Sequence, residues 1–522
     1  MMSLDDLKRE VSTVFKMHGL SLHSEANRYL CKLLSEVETQ AKLNLWIDKI
    51  VENVLKQPLS TTMVNLKNLK TAITESSSRN HESDQSSRIL SVMDAFSLPK
   101  LTYSEERKKF IRNDLLGFSP PTLYPDAKSK SLLFRERFSI LYQLTSRHEL
   151  FTPAVFGVNS VESFKKFQLY PIEYLLGTTT KMTDLVVLGM LSNIEEGKYH
   201  LEDSTGTMII QLAQAISFFH SGIFTENSFV LAEGWYEDGT FQATAIGFPP
   251  IENAAITRSY FGNTNFLGGN EPSFKSSAQL ARIEESNEDA MLIILSEVWL
   301  DQVKVLEKLR QLFSGYCVMP PQCFIFIGDF ISDPHKASNK KVVEECFTRL
   351  GNLLTDFPPL LEQSKFVFVP GPNDLGLKGI LPRPSIPDCV TKEFRKKVPN
   401  CDFTSNPARI QYCTQEIVII REDLLSKVSR HSLVRTILSQ VHLSPVPLHA
   451  QPIYWEFDHA LRIYPLPDLI IYADKIDPYS ISMSGTQVMN PGSFSKSEFI
   501  FKVYLPSSRT IEESQIKDVT DA

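Results

Sequence analysis

Leu292-Ile293-Ile294-Leu295-Ser296-Glu297-Val298-Trp299 sets an apolar run against a polar loop, and the same pattern recurs down the chain. Cys323–Ile327 runs into Gly328-Asp329-Phe330. Phe366–Val369 runs into Pro370-Gly371-Pro372-Asn373-Asp374, and Leu469–Tyr472 into Ala473-Asp474-Lys475-Ile476-Asp477. Glu416–Ile420 is a further run of this kind. Near-continuous Val, Ile, Leu and Phe mark strands that are buried on both faces. Val303–Phe313, Lys341–Leu354 and Asp423–Ser429 read as helices between them. The expected fold over residues 285–522 is an α/β layered domain with helices on both sheet faces. Its polar loops sit at strand C-terminal ends, where such sheets hold ligands.

Carboxylates and imidazoles at neighbouring strand ends are what two cations need to grip a phosphate and activate water. The order and spacing of these loops resemble the calcineurin-like phosphoesterase superfamily, whose loops run Asp-x-His, Gly-Asp, Gly-Asn-His-Asp/Glu, a lone His and Gly-His-x-His. Carried over residue by residue, the resemblance lands on Glu297, Trp299, Asp329, Pro372, Asn373, His442, Asp474 and Ile476. The indole of Trp299 only donates and cannot ligate a metal. Pro372 replaces a ligand Asn and Asn373 the catalytic His, while Asp474 and Ile476 replace the last two histidines. Lys475 beside them would oppose a divalent cation. Asp329 and His442 keep ligand chemistry, and the closing turn Asn490-Pro491-Gly492-Ser493 is retained. The implied site is degenerate, with no catalytic residue, no metal and no cofactor expected. Taken singly, Gly-Asp and Asn-Asp are ordinary turn pairs. Their order, and the apolar strand before each, carry the reading.

The chain has 522 residues, 42% hydrophobic and 22% charged, with a net charge of −7. That size implies several domains, and that charge disfavours a chain-wide nucleic-acid surface. The seven cysteines show no CxxC spacing, so reduced core thiols are expected rather than a zinc site or a disulfide framework. No run is long enough for a membrane span, and the N-terminus lacks a signal-peptide pattern. A soluble intracellular protein is expected.

Four further regions precede the α/β domain. Residues 1–75 repeat apolar positions at helical spacing (Val11, Phe15; Leu30, Leu33; Ile47, Ile50, Val51, Val54; Met63, Leu66, Leu69), which predicts a small all-α bundle of four helices. Residues 76–97 are read as a flexible linker, because 76–87 hold almost no apolar side chain. Residues 98–180 form a connector that is extended at first and then carries an amphipathic helix over Leu132–Tyr142. Residues 181–270 alternate with period two and turn at Ser204-Thr205-Gly206 and Glu237-Asp238-Gly239, predicting five short strands in an OB-type β-barrel. These strands hold few basic residues.

An OB-type barrel ahead of a phosphoesterase-type domain without its ligands resembles the B-subunits of eukaryotic replicative DNA polymerases. Phe134-Arg135-Glu136-Arg137-Phe138, Leu231-Ala232-Glu233-Gly234-Trp235 and Asn406-Pro407-Ala408-Arg409-Ile410-Gln411-Tyr412 narrow the resemblance to the epsilon branch. It covers essentially the whole chain. The resemblance implies a non-catalytic accessory subunit in the nucleus, acting in DNA replication. It implies that the barrel and α/β domain grip the C-terminal domain of the DNA polymerase epsilon catalytic subunit. It implies that the N-terminal domain, similar to AAA+ lids, docks on the replicative helicase through GINS. Small histone-fold subunits are further expected partners, and DNA contact is expected to be mostly indirect. Two alternatives stand beside this. One is an active two-metal phosphoesterase or nuclease that gathers Glu297, Asp329, Asn373, His442 and Asp474 around metal. The other is a single-strand DNA-binding module acting through the barrel.

Overall fold

The computed structural model describes residues 4–34, 47, 50, 51, 54, 63–66, 68–70, 89–113, 119–152, 166–195, 197–212, 217–218, 222–262, 264–268, 273–423 and 430–517. The chain divides into two compact units, Met1–Ile89 and Leu90–Ala522. In the first, helices Leu4–Met17 and Ser24–Leu34 are joined by a turn at Gly19, whose φ of +71° suits glycine. Val11, Phe15, Ala26, Leu30, Ile47, Ile50, Val51, Val54 and Leu69 share one core. Ile47, Ile50, Val51 and Val54 are helical at the expected spacing. Met63 departs from expectation. It pairs with Ser21 in a two-residue parallel ladder and is exposed, and helix begins only at Leu66. The anticipated tether at 76–87 lies outside the described residues.

The second unit holds a barrel and a two-sheet sandwich. Strands Met182–Glu195, Lys198–Glu202, Thr207–Gln211, Phe229–Glu237 and Thr240–Gly247 form the barrel. Thr240–Gly247 pairs parallel with Thr207–Gln211 and antiparallel with Phe229–Glu237, which in turn pairs with Met182–Glu195 and closes the ring. This is the connectivity expected of an OB-type barrel. Asp238 and Gly239 both adopt positive φ in the last hairpin, the backbone of a type I′ turn. Leu185, Val187 and Leu191 point into the barrel, while Val186, Leu188 and Met190 point out into a second core. Both faces being buried, residues 185–191 carry no polar side chain and depart from the period-two alternation expected of this strand.

The sandwich stacks two six-stranded sheets. Cys401–Phe403, Lys365–Val369, Cys323–Ile327 and Leu292–Ser296 run parallel, and Ile500–Leu505 and Thr510–Gln515 extend that sheet antiparallel. The other sheet runs Tyr479–Met483, Thr486–Asn490, Leu469–Ala473, Gln415–Arg421, Ala408–Tyr412, Leu90–Asp94. The expectation of helices on both faces is corrected here. Leu292, Ile294, Ile325, Val367 and Val369 meet Ile417, Ile419 and Ile471 of the opposite sheet, whereas Phe324, Phe326, Phe366 and Phe368 face helices Val303–Tyr316 and Lys340–Leu354. Compact aliphatics fill the layer between sheets, and bulky rings fill the deeper helix layer. An apolar run reports two buried faces without saying what covers them.

Two boundaries also differ from the sequence reading. Leu90–Asp94, placed there in the linker, is the edge strand of the second sheet and pairs with Ala408–Tyr412. The Asp94 carboxylate accepts from Ser405 N at 3.0 Å. The expected extended connector contains a hairpin, Leu101–Ser104 with Lys109–Arg112. Helix Lys128–Arg147 extends the predicted amphipathic segment at both ends, and Ile140, Leu141 and Leu144 pack with the barrel's outer face and the second sheet. The predicted helix Asp423–Ser429 falls, beyond Asp423, outside the described residues, and Arg430–Gln440 is helical.

The edge strand gives a direct test. Deleting residues 1–89 is expected to leave the urea midpoint of the second unit unchanged. Deleting 1–97 removes Leu90, Val92 and Met93 from their cores and unpairs Ser405, which is expected to cost about 3 kcal/mol. Equal midpoints for the two deletions, followed by tryptophan fluorescence, would contradict the edge-strand role.

Candidate functional site

The loops singled out in the sequence meet at one edge of the sandwich, around a residue the sequence reading missed. Arg421 ends strand Gln415–Arg421 and its side chain is fully buried. Its Nε donates to the Gly328 carbonyl at 3.0 Å. One terminal nitrogen donates to Glu297 Oε1 at 3.0 Å and the other to Asp423 Oδ1 at 2.5 Å. Burial alone would lower its pKa, but Asp423, Asp329 and Glu297 outweigh that and raise it above the ordinary arginine value. Glu297 sits in the left-handed region at φ 52°, immediately after strand Leu292–Ser296. Its second oxygen accepts from Lys496 Nζ at 3.1 Å, and Asp423 Oδ2 takes Lys475 Nζ at 2.5 Å. Each of these two carboxylates is therefore held between two cations.

Asp329 is held by a different set of donors. Its oxygens accept from the Asn373 backbone N at 3.0 Å and from Asn373 Nδ2 at 2.8 Å. Asp374 accepts from Phe330 N at 2.8 Å and Gly371 N at 2.7 Å. Burial, then the charge of Asp329, pushes the Asp374 carboxyl up to about 7. Gly328 and Gly371 are required by this packing. A Cβ on Gly328 would fall onto Asp374 Oδ2 and Gly371 N, and one on Gly371 onto Asp329 Oδ1. The Gly-Asp and Gly-Pro-Asn-Asp loops thus brace each other by hydrogen bonds and close backbone approach. Pro372, within the second of these loops, is half-buried.

Trp299 donates its backbone N–H to Ser495 Oγ at 3.0 Å, and its ring lies 4.9 Å beneath Lys496 Nζ. Asp474 Oδ1 accepts from Lys475 N at 2.5 Å, and its carboxyl group is buried beside that of Asp423. Burial, then Asp423, pushes this carboxyl up to about 6. Ile476 packs against the core of the second sheet. Asn490 Oδ1 accepts from Asp474 N and Gly492 N, and its Nδ2 donates to the Ile476 carbonyl at 3.0 Å. The closing turn is therefore a loop clamp.

His442 is engaged elsewhere. Its Nδ1 accepts from Ser444 N at 3.0 Å, and Nε2 faces Asp458 Oδ1 at 3.2 Å and an Arg137 nitrogen at 3.0 Å. With Nδ1 accepting, the neutral ring carries its proton on Nε2 and donates it to Asp458. Asp458 also takes Arg137 at 2.5 Å and Arg462 at 3.4 Å. Burial would raise the Asp458 pKa, but Arg137, His442 and Arg462 hold it well below the carboxylate range. Burial, then Arg137, pushes His442 down to about 4. Because Arg137 lies on helix Lys128–Arg147, this network anchors the helix to the sandwich. Position in the motif order suggested His442 as a ligand, but order does not show where a ring points.

Among the described residues no group of three or more His, Cys, Asp and Glu side chains is arranged to hold a metal ion. A guanidinium among these carboxylates has no lone pair to give and opposes a divalent cation. The one signal for Arg421 was its setting, a cation directly after an apolar strand and before Glu422-Asp423, in the loop position used by the acidic motifs.

Family models match the chain in three places. Residues 3–76 match the N terminal of DNA polymerases epsilon, 127–250 match the OB-fold domain of DNA polymerase epsilon subunit 2-like proteins, and 292–481 match the B subunit of DNA polymerase alpha/epsilon. The chain is 45% identical to DNA polymerase epsilon subunit 2 of Mus musculus, over 99% of this chain and 100% of that one. The Homo sapiens protein of that name is also 45% identical, over 99% and 100%. The Drosophila melanogaster protein is 38% identical, over 98% of each.

Two outcomes follow from the buried charges. Arg421→Met leaves the buried Glu297 and the half-buried Asp423 without their shared cation, and a loss of about 3 kcal/mol is expected by urea unfolding. A loss under about 1 kcal/mol would contradict the bracing role. For His442, the unfolded imidazole titrates near 6.5 and the folded one near 4. Between those values the unfolded state binds more protons, so stability falls as pH falls, by about 1.4 kcal/mol per pH unit at most. His442→Gln should flatten that part of the stability–pH curve. An unchanged slope would show that His442 is not a buried neutral ring.

Proposed function

This chain belongs to the DNA polymerase epsilon subunit 2 family, and we propose that within the polymerase it is a non-catalytic scaffold. As an accessory subunit of DNA polymerase epsilon it associates with the catalytic subunit and acts in DNA replication. The proposed arrangement has two ends. The barrel and sandwich hold the C-terminal domain of the catalytic subunit, with the small histone-fold subunits in the same assembly. The N-terminal domain engages the replicative helicase through GINS. Such linkage raises the effective concentration of polymerase at the helicase without any new catalytic contact. The site of action is the nucleus, and contact with DNA is mostly indirect.

The observation that carries the non-catalytic reading is Arg421. Its guanidinium, with Lys475 and Lys496, neutralises Glu297 and the neighbouring Asp423, so the site already holds fixed cations where a two-metal centre would draw on carboxylates. Among the described residues the barrel strands supply no basic groove to favour single-strand binding. Lys181, for one, is tied to Glu237 at 2.8 Å.

Two experiments test the reading. The purified chain with manganese is expected to hydrolyse neither bis-p-nitrophenyl phosphate nor single-stranded DNA above buffer. Hydrolysis that is abolished by Asp329→Asn would overturn it. Deleting residues 1–75 is expected to abolish capture of GINS while the catalytic subunit still co-purifies. Loss of both contacts would sink the two-ended arrangement.

A further inference from the structure

Four lysines gather at the turn that leads into helix Lys340–Leu354. Lys336 lies on the short helix Pro334–Ala337, and Lys340 and Lys341 open the longer one. The fourth, Lys378, comes from the loop after Asn373-Asp374, and its Nζ donates to Ser338 Oγ at 3.3 Å. Ser338 sits between the two helices, so that bond brings Lys378 to the other three. All four residues are exposed, and among the described residues none of them makes an ion pair.

The neighbouring acids are otherwise occupied. Asp333 caps the short helix by accepting from His335 N at 2.9 Å, and Glu345 faces Arg349 at 4.0 Å. Asp301 takes Ser332 N at 2.9 Å and its hydroxyl at 2.6 Å. In the adjoining loops, Asp329 is held by Asn373, and Asp374 by Phe330 N and Gly371 N. Glu344, half-buried one turn into the helix, is the remaining acid of the stretch 333–345. Stability does not explain the cluster. Like charges repel, and cations at a helix N-terminus oppose its dipole. With a net charge of −7 over the chain, the cluster also runs against the average. The other basic run, Arg395-Lys396-Lys397, is different. Arg395 reaches Asp388 at 3.0 Å, Lys396 reaches Glu393 at 2.6 Å, and Lys397 binds Asn352. The lysine cluster is charge that the fold leaves unbalanced.

We propose that this cluster is a direct, sequence-independent contact for the phosphate backbone of duplex DNA. A duplex presents one negative charge for about every 1.7 Å of its axis, so adjacent lysines can each meet a phosphate. Ammonium groups are compact point charges that bind phosphate without reading bases. Membership of a DNA polymerase subunit family selects DNA over other polyanions. The contact is the direct part of an engagement with DNA that is otherwise indirect. It rests on that membership and not on the two-ended scaffold, whose test reads capture of GINS rather than of DNA.

The test titrates the full chain against a fluorescein-labelled duplex of about 25 base pairs, read by anisotropy from about 20 to about 150 mM NaCl, where phosphate contacts are strongly salt-dependent. Binding that weakens steeply with salt is expected. Lys340→Gln with Lys341→Gln should weaken it by about fivefold or more. The slope of log K against log salt should become shallower by about 2, since each lost phosphate contact removes about 0.9. Replacing all four lysines by glutamine should make it shallower by about 3 or more. Lys128→Gln with Lys130→Gln, an equal loss of charge beside the barrel, should change the affinity by less than about twofold. Matching thermal melts check that each variant keeps its fold. Poly-glutamate of matched charge should compete poorly. No binding at low salt, equal effects of the two double substitutions, or poly-glutamate competing as well as unlabelled duplex would overturn the proposal.

Discussion

The arginine at 421 is the constraint on which the sandwich edge depends. It rises from the second sheet and reaches Glu297 and the Gly328 carbonyl, which end two neighbouring strands of the first sheet. One side chain therefore ties both sheets together at the edge where their loops converge. Five carboxylates gather there: Glu297, Asp329, Asp374, Asp423 and Asp474. Leaving so many acids near one another would be costly in a low-dielectric edge. Three cations and a set of backbone N–H donors remove that cost. Asp374 and Asp474, whose carboxyls are pushed up to about 7 and about 6, carry the remainder by holding protons more tightly.

A second buried charge network performs the same office between barrel and sandwich. Arg137, Asp458, Arg462 and Glu136 link helix Lys128–Arg147 to the Trp455–Leu461 turn. A third centres on Asp468, which takes Arg258 at 3.0 Å and also Lys275. It ties the segment after the barrel to the second sheet. Burial would raise the Asp468 pKa, but Lys275 and Arg258 lower it below the usual value. Fixing long cationic side chains in apolar surroundings specifies one docking geometry, because every shifted arrangement strands a charge. A body held in one geometry offers partners fixed surfaces on its outside.

Much of this was legible in the sequence, for identifiable reasons. Strands such as Cys323–Ile327 announce themselves because both faces are buried. Hairpin turns such as Glu237-Asp238-Gly239 announce themselves because only a few residues adopt their backbone. What covers the second face was not legible, since Ile325 and Phe326 are both simply apolar in a sequence. The edge strand Leu90–Asp94 was hidden because its partner lies more than 300 residues away. The same distance misplaced His442, whose partner Arg137 is 305 residues upstream. The motif loops were found, but the reason for their glycines was not. Gly328 and Gly371 serve a contact between two loops that no single segment reveals. Arg421 was missed because a lone arginine after a strand carries no pattern of its own.

The Arg421 guanidinium lies between Glu297 and Asp423 and supplies the positive charge that metal ions would otherwise have to supply there. Crystals of the full chain grown with millimolar manganese, measured at the manganese absorption edge, test this most directly. No anomalous peak is expected among Glu297, Asp329, Asp423 and Asp474, with Arg421 bridging Glu297 and Asp423. A pair of manganese peaks among those carboxylates, with Arg421 displaced, would contradict it.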